Sequence, residues 1–202
     1  GNAGSTGIQV RNSDASITFN NTTIENVAIG IDLSTNTGTY TFQNGLSVTT
    51  MDGPGILSDT GGTLVITGAT NSVTATGGPA LDISSTTVDM TFASLSSTDS
   101  ASQGIVFVGV TGTGATGGLL VTGTTTLIGP VGTGIGIVAS QGTYDFGTAT
   151  VDKSMTNGSG VRLANNGGVL AVTFQDLNVT TSAGPGLLTL GNADLTLTVL
   201  NN

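Results

Sequence analysis

Asp32 and Asp82 are the residues of this chain best placed to do chemistry. Each is third in a matching tetrapeptide, Gly30-Ile31-Asp32-Leu33 and Ala80-Leu81-Asp82-Ile83. Alternation along such a segment turns Ile31 and Leu33 to one side and Asp32 to the other. Two carboxylates on one exposed strand face are the raw material of glycoside hydrolysis. Stacked two layers apart, the carboxyls would stand roughly 9–10 Å from each other. An inverting mechanism uses a separation of about 6.5–9.5 Å, so distance permits the pair. The surroundings argue against it. Leu57 takes the equivalent place between them, and no His, Lys or Arg stands in register nearby. Acid–base catalysis needs a perturbed pKa in a cleft, and this pattern supplies neither. Asp32 and Asp82 therefore read as solvated acids, and we expect no catalytic residue and no enzyme.

Calcium is the next chemistry to consider. Asp52, Asp59, Asp99, Asp145, Asp152, Asp176 and Asp194 occur singly. Neither the D-x-D-x-D-G loop nor the glycine-rich calcium nonapeptide is present. Asp145 and Asp152 come closest to a pair, with Lys153 as the expected partner. The chain has no His and no Cys, which removes the other common ligands. No metal site and no cofactor are expected. The Gly-rich run from Thr111 to Gly114 is not followed by Lys-Ser/Thr or a helix, so it is no phosphate cradle.

Threonine raises ice binding. The expected outward row of the second strand is Thr18, Thr41, Val65, Thr91, Leu120, Asp145, Thr173 and Thr196. Val65, Leu120 and Asp145 interrupt it. Thr also suits an exposed pleated surface for its own sake.

These residues must be positioned by strands that recur. Coils start near Gly7, Gly30, Gly55, Ala80, Gly104, Gly134, Gly160 and Gly186, at spacings of 23, 25, 25, 24, 30, 26 and 26. A fixed period of that length with no helical unit marks a solenoid. Each coil holds three short apolar segments separated by Gly, Ser, Thr, Asn and Asp. In the second coil they are residues 30–33, 39–43 and 46–50. They alternate with period two and are rich in Val, Ile, Thr and Phe, so they are strands. The expected fold is all-β: a single-domain, right-handed parallel β-helix over residues 1–202, with three strands per coil and about eight coils. Right-handedness follows the default for parallel crossovers. Such a stack would be about 35 Å long.

Alternation then assigns the core. On the first strand Ile8 and Val10, Ile31 and Leu33, Leu81 and Ile83, Ile105 and Phe107, Ile135 and Ile137, and Val161 and Leu163 should point inward. On the second strand Phe19, Phe42, Phe92, Phe146 and Phe174 should form one inward column. Gly53-Pro54-Gly55, Gly78-Pro79-Ala80 and Gly184-Pro185-Gly186 mark rigid corners just before the first strand. The long repeat from Gly104 adds residues around Gly112 to Gly118, which should bulge outward.

Composition limits the partners. The chain is 7% charged against an ordinary share of about 25%, so Thr, Ser, Asn and Gly make most of its surface. Arg11, Lys153 and Arg162 stand against twelve acidic residues, a net charge of −9. That charge argues against nucleic acid and anionic membranes as partners. No apolar run is long enough to insert in a membrane as a helix.

Segments such as GTYTFQNGLSVTTMDGPGI (residues 38–56), GGTLVITGATNSVTATGGPALDI (61–83) and MTFASLSSTDSASQGIVF (90–107) resemble the repeat regions of very large secreted bacterial proteins. These are adhesin-like surface proteins with pectate-lyase-type β-helices, and the resemblance covers nearly the whole chain. It implies an extracellular or cell-surface stalk, adhesive surface or matrix element, and it carries no catalytic residues. Neither end of the sequence bears an amphipathic cap. Open parallel edges are templates for pairing, so we expect end-to-end self-association or continuation into more coils. A surface polysaccharide, or a host or neighbouring cell surface, is the other partner class. A polysaccharide-binding or -degrading β-helix and an ice-binding protein are the alternatives.

Overall fold

The computed structural model describes residues 4–201. It contains no helix among them. All its strands belong to one wound sheet in which every pairing runs parallel, a β-solenoid of about eight turns. The strands are β1 (Thr6–Arg11), β2 (Ile17–Val27), β3 (Ile29–Gly53), β4 (Ile56–Ile66), β5 (Ser72–Gly77), β6 (Leu81–Ser84), β7 (Thr87–Thr98), β8 (Ile105–Val108) and β9 (Thr111–Gly112). They continue with β10 (Gly118–Ile128), β11 (Ile135–Val138), β12 (Gly142–Asp145), β13 (Thr148–Asn157), β14 (Val161–Ala164), β15 (Val169–Phe174), β16 (Asp176–Ala183), β17 (Leu187–Leu190) and β18 (Asp194–Val199). The longest, β3, runs through two corners, so one strand serves all three faces, and its register to β4 shifts between Asn36 and Thr39.

The first face follows the repeat residue by residue. Gln9, Asp32, Leu57, Asp82, Val106, Gly136, Arg162 and Leu188 form one continuous outward row. Behind it the inward rows, among them Ile31, Leu33, Ile105, Phe107, Ile135 and Ile137, are completely buried. The small residue that opens each coil has a steric cause. A Cβ added at Gly55 or Gly134 would collide with the Val73 or Val151 side chain across the core and with a carbonyl of the next coil.

The second face differs from expectation. Phe19 and Phe42 do stack, with ring centroids 4.7 Å apart and planes 9° from parallel. Phe42, however, pairs with Ile66 and Ile66 with Met90, while Phe92 stands two residues further on and pairs with Val121. Phe146 and Phe174 continue that second row, stacked at 5.4 Å. The aromatics thus form two columns instead of one. The cause is the preceding corner. Ser34, Asp59 and Ser84 are in register, and so are Thr39, Thr63 and Thr87, so the corner shortens by one residue per coil. The threonine row shifts with it. Asp89, not Thr91, lies beside Val65, and Thr198, not Thr196, lies beside Thr173.

The insertion bulges as expected, with Thr113, Gly114 and Ala115 exposed. Asp89 ties it down, accepting the Ala115 and Thr116 backbone N–H groups at 3.1 Å and the Thr116 hydroxyl at 2.7 Å.

A polar column at the corner after the first face joins the coils. The Asn36 Oδ1 accepts the Ser13 N–H at 3.0 Å, Ser140 Oγ the Val110 N–H at 3.0 Å, and Asn166 Oδ1 the Ser140 N–H at 2.7 Å. Thr86 and Asn192 do the same for Gly61 and Asn166. Each side chain caps the coil before its own. Gly61 has no side chain to offer, and buried Ser58 substitutes for part of that role by donating to the Leu33 carbonyl at 3.2 Å. A buried donor or acceptor left unmet costs about 1–3 kcal/mol, so this column holds the corner in one shape.

Candidate functional site

The densest set of polar side chains on the first face lies on its N-terminal half. Asp32 is completely buried although its strand position faces outward. Its Oδ2 accepts Gln9 Nε2 at 3.1 Å and Arg11 Nε at 3.0 Å, and it forms an ion pair with Arg11 Nη2. Its Oδ1 accepts Ser34 Oγ at 2.5 Å. Arg11 is half-exposed and stands one coil back, two residues along the strand. That placement corrects the expectation of a solvated acid with no cation nearby. Strand alternation puts residues two apart on the same side, so the guanidinium folds back over the carboxylate.

Asp59 and Asp82 continue the strip. The Ser84 hydroxyl donates to Asp59 Oδ1 at 2.8 Å, and Thr60 Oγ1 approaches the same oxygen at 3.4 Å. The two ends titrate in opposite directions. Burial alone would raise the Asp32 pKa, but hydrogen bonds from Ser34, Arg11 and Gln9, together with the Arg11 charge, hold it below the ordinary 3.8. Asp82 has no cation, and burial followed by the Asp59 charge pushes its pKa above that value. Asp32 is thereby a neutralised, fully engaged carboxylate, a poor base. Asp82 is a half-buried acid beside a second carboxylate. The strip lies on an open strand face. Two shallow grooves, of about 230 Å³ between Asn21, Asn44 and Thr70 and about 250 Å³ between Thr111, Gln141 and Gly168, lie elsewhere and contain no carboxylate.

No family model, no curated protein and no solved structure matches this chain. The site is therefore read from its own geometry.

Of the other acids, Asp99 and Asp152 line one small groove of about 90 Å³ with Ile128 and Met155. Among the described residues no three carboxylates come together around a point. Asp145 Oδ1 accepts the Gly147 N–H and Asp152 Oδ1 the Ser154 N–H, each at 2.9 Å, so both serve local turns. The Ser154 bonds lower the Asp152 pKa. The expected pairing with Lys153 is absent. Asp152 faces outward, and Lys153, next along the strand, is buried inside. Among the described residues no helix is long and apolar enough to cross a membrane.

Sequence reasoning missed Arg11, Ser34 and Asp59 as members of the strip. The signal was available. Each lies two residues beyond a member of the first outward row, and Arg11, Ser34, Asp59 and Ser84 form a second row in register.

Proposed function

We propose that this chain is an extracellular structural or adhesive β-helix module, a stalk or surface-fibre element that acts through surface and shape without catalysis. The observation that carries this reading is the uninterrupted three-faced ladder around a filled core, with its chemistry confined to an open outer face. The low charge and small polar surface suit a rigid exported repeat of the adhesin-like kind. Self-association end to end is part of the proposal. On the last described coil the inward-facing Leu187 is 40% exposed, although Val161, its equivalent one coil earlier, is buried. A further coil, from the same chain or a second copy, would cover it and pair its strand, and head-to-tail addition gives fibres. Charge repulsion opposes stacking and is screened beyond about 8 Å at physiological salt. Light scattering and electron microscopy of the isolated chain across a salt series should therefore show filaments favoured by higher salt. A monomeric rod at every concentration would overturn self-association.

A second reading is favoured by one observation, the hydrogen-bonding strip of Asp32, Ser34, Asp59, Asp82 and Ser84. In that row Asp59 and the half-buried Asp82 have carboxylates to offer a polyhydroxylated chain lying along the face, while Asp32 is buried and engaged behind them. Binding on a glycan panel that disappears in Asp59→Asn/Asp82→Asn would favour it. Turnover lost in Asp32→Asn/Asp82→Asn would make the protein an enzyme. Ice binding is checked by thermal hysteresis.

A further inference from the structure

The chain's single lysine is wholly buried. Along β13, Val151 points inward, Asp152 outward and Lys153 inward, as alternation requires. The Lys153 ammonium donates to the Pro130 carbonyl at 2.6 Å, to the Gly132 carbonyl and to Thr156 Oγ1 at 3.0 Å. Thr156 in turn donates to Pro130 O at 2.7 Å. No carboxylate accompanies the amine, since the ion pair found among the described residues is that of Arg11 with Asp32. A formal charge thus rests on neutral oxygens alone.

The following coil holds a hydroxyl at this position. Lys153 pairs in register with Thr181, whose hydroxyl donates to Gly184 O at 3.0 Å. In a different row, two residues before the Lys153 position in register, Thr50 makes the same kind of bond to Gly53 O at 2.8 Å. These hydroxyls serve the corner of their own coil. Lys153 instead reaches back into the previous coil, to a corner of different build. Pro54 and Pro185 stand immediately before the coil-opening glycine, whereas Pro130 stands four residues before Gly134. The longer corner turns two carbonyls inward, and Thr156 reaches that of Pro130 while Lys153 reaches both.

We infer that the Pro130–Gly132 corner and Thr156 form a binding cradle for a primary ammonium, with Lys153 as its tethered occupant. The match is one of valence and length. A protonated amine has three N–H donors, the cradle has three oxygens, and the four-carbon stem spans the gap between coils. Burial pushes the amine's pKa below its ordinary value, but a neutral amine would turn a lone pair toward one of the three acceptors. The cation closes the corner that ends the longest repeat and clamps it to the next coil.

Removing the tether should leave a site for small alkylammonium ions. Lys153→Ala is expected to lower Tm by about 5–10 °C. Propylammonium chloride, which replaces the lost atoms, should restore most of that loss, with no comparable effect on the unmutated chain. Propanol has the shape without the charge, and tetramethylammonium has the charge without an N–H; neither should restore it. Equal effects of all three, or no effect of propylammonium, would overturn the inference. The unmutated chain gives a test that does not depend on the variant folding. An acetylating reagent should modify Lys153 only in denaturant, while the N-terminal amine reacts in both conditions. Rapid modification of Lys153 in the folded protein would overturn the inference equally.

Discussion

The two halves of the first face share one interior and present opposite exteriors. Toward the N-terminus the outward rows are Gln9, Asp32, Leu57, Asp82 and Arg11, Ser34, Asp59, Ser84. Toward the C-terminus they become Val106, Gly136, Arg162, Leu188 and Val108, Val138, Ala164, Leu190. Away from the terminal coils the inward rows of both halves are Ile, Leu, Val and Phe with Ser58 as the polar exception, and they are buried alike. The difference separates two kinds of information. The inward positions and the coil-opening small residue set the path of the backbone. The outward positions obey no packing rule beyond strand geometry, so one rod carries a hydrogen-bonding strip and, end to end with it, a strip that is apolar except for Arg162.

The largest expected effects test the shared interior. Phe42→Ala and Phe146→Ala lie in different halves and different aromatic columns, and both side chains are fully buried. Each should cost about 3–5 kcal/mol in urea unfolding. A cost below ~1 kcal/mol in one of them would mean that the halves do not share a core. Next comes the corner column. Asn166→Ala leaves the Ser140 N–H and the Ile137 carbonyl without their partner, for an expected loss of about 1–3 kcal/mol.

The polar strip itself should divide by the sign of its pKa shifts. The folded pKa of Asp32 is depressed, so its contribution is present above 3.8 and is lost as pH falls below that value toward the folded pKa. Asp32→Asn should cost about 1–2 kcal/mol at neutral pH, moderated because Arg11 is half-exposed, and should remove that part of the acid dependence. Asp82 has a raised folded pKa, so it penalises the folded state above that pKa and the penalty fades as pH falls to 3.8. Asp82→Asn should raise Tm at pH 7. Thermal melts of both variants from pH 3 to pH 8 check this, and shifts of the same sign would contradict it. The smallest effect belongs to the apolar half. Val108→Thr on the outward row should change stability by less than ~0.5 kcal/mol.

Reading from the sequence succeeded where a single constraint ruled. On the first face, period-two alternation and the coil-opening residue leave no freedom, and the whole outward row from Gln9 to Leu188 follows. On the second face a variable corner intervenes. Phe92 lies as far from Ala80 as Phe42 does from Gly30, yet the two are not in register, because the intervening corner is two residues shorter. The corner column was legible and overlooked. Ser13, Asn36, Thr86, Ser140, Asn166 and Asn192 each stand six residues after a coil start. Turn residues of these types pass for solvated loop, and only their recurrence distinguishes them. Lys153 was misread for a similar reason: a charge is assumed to be outside, although alternation from Val151 already turned it in.

The corner caps give the stack a direction. Every backbone N–H capped in that column is met by a side chain of the following coil. A coil therefore completes its predecessor and is left for its successor to complete. Peeling a coil from the C-terminal side strips a cap from what remains; peeling one from the N-terminal side does not. Nearest-neighbour coupling in a solenoid is usually treated as symmetric. Here it has a vector: opening at either end breaks one such bond, but only opening from the C-terminal side leaves the unmet N–H on the folded stack.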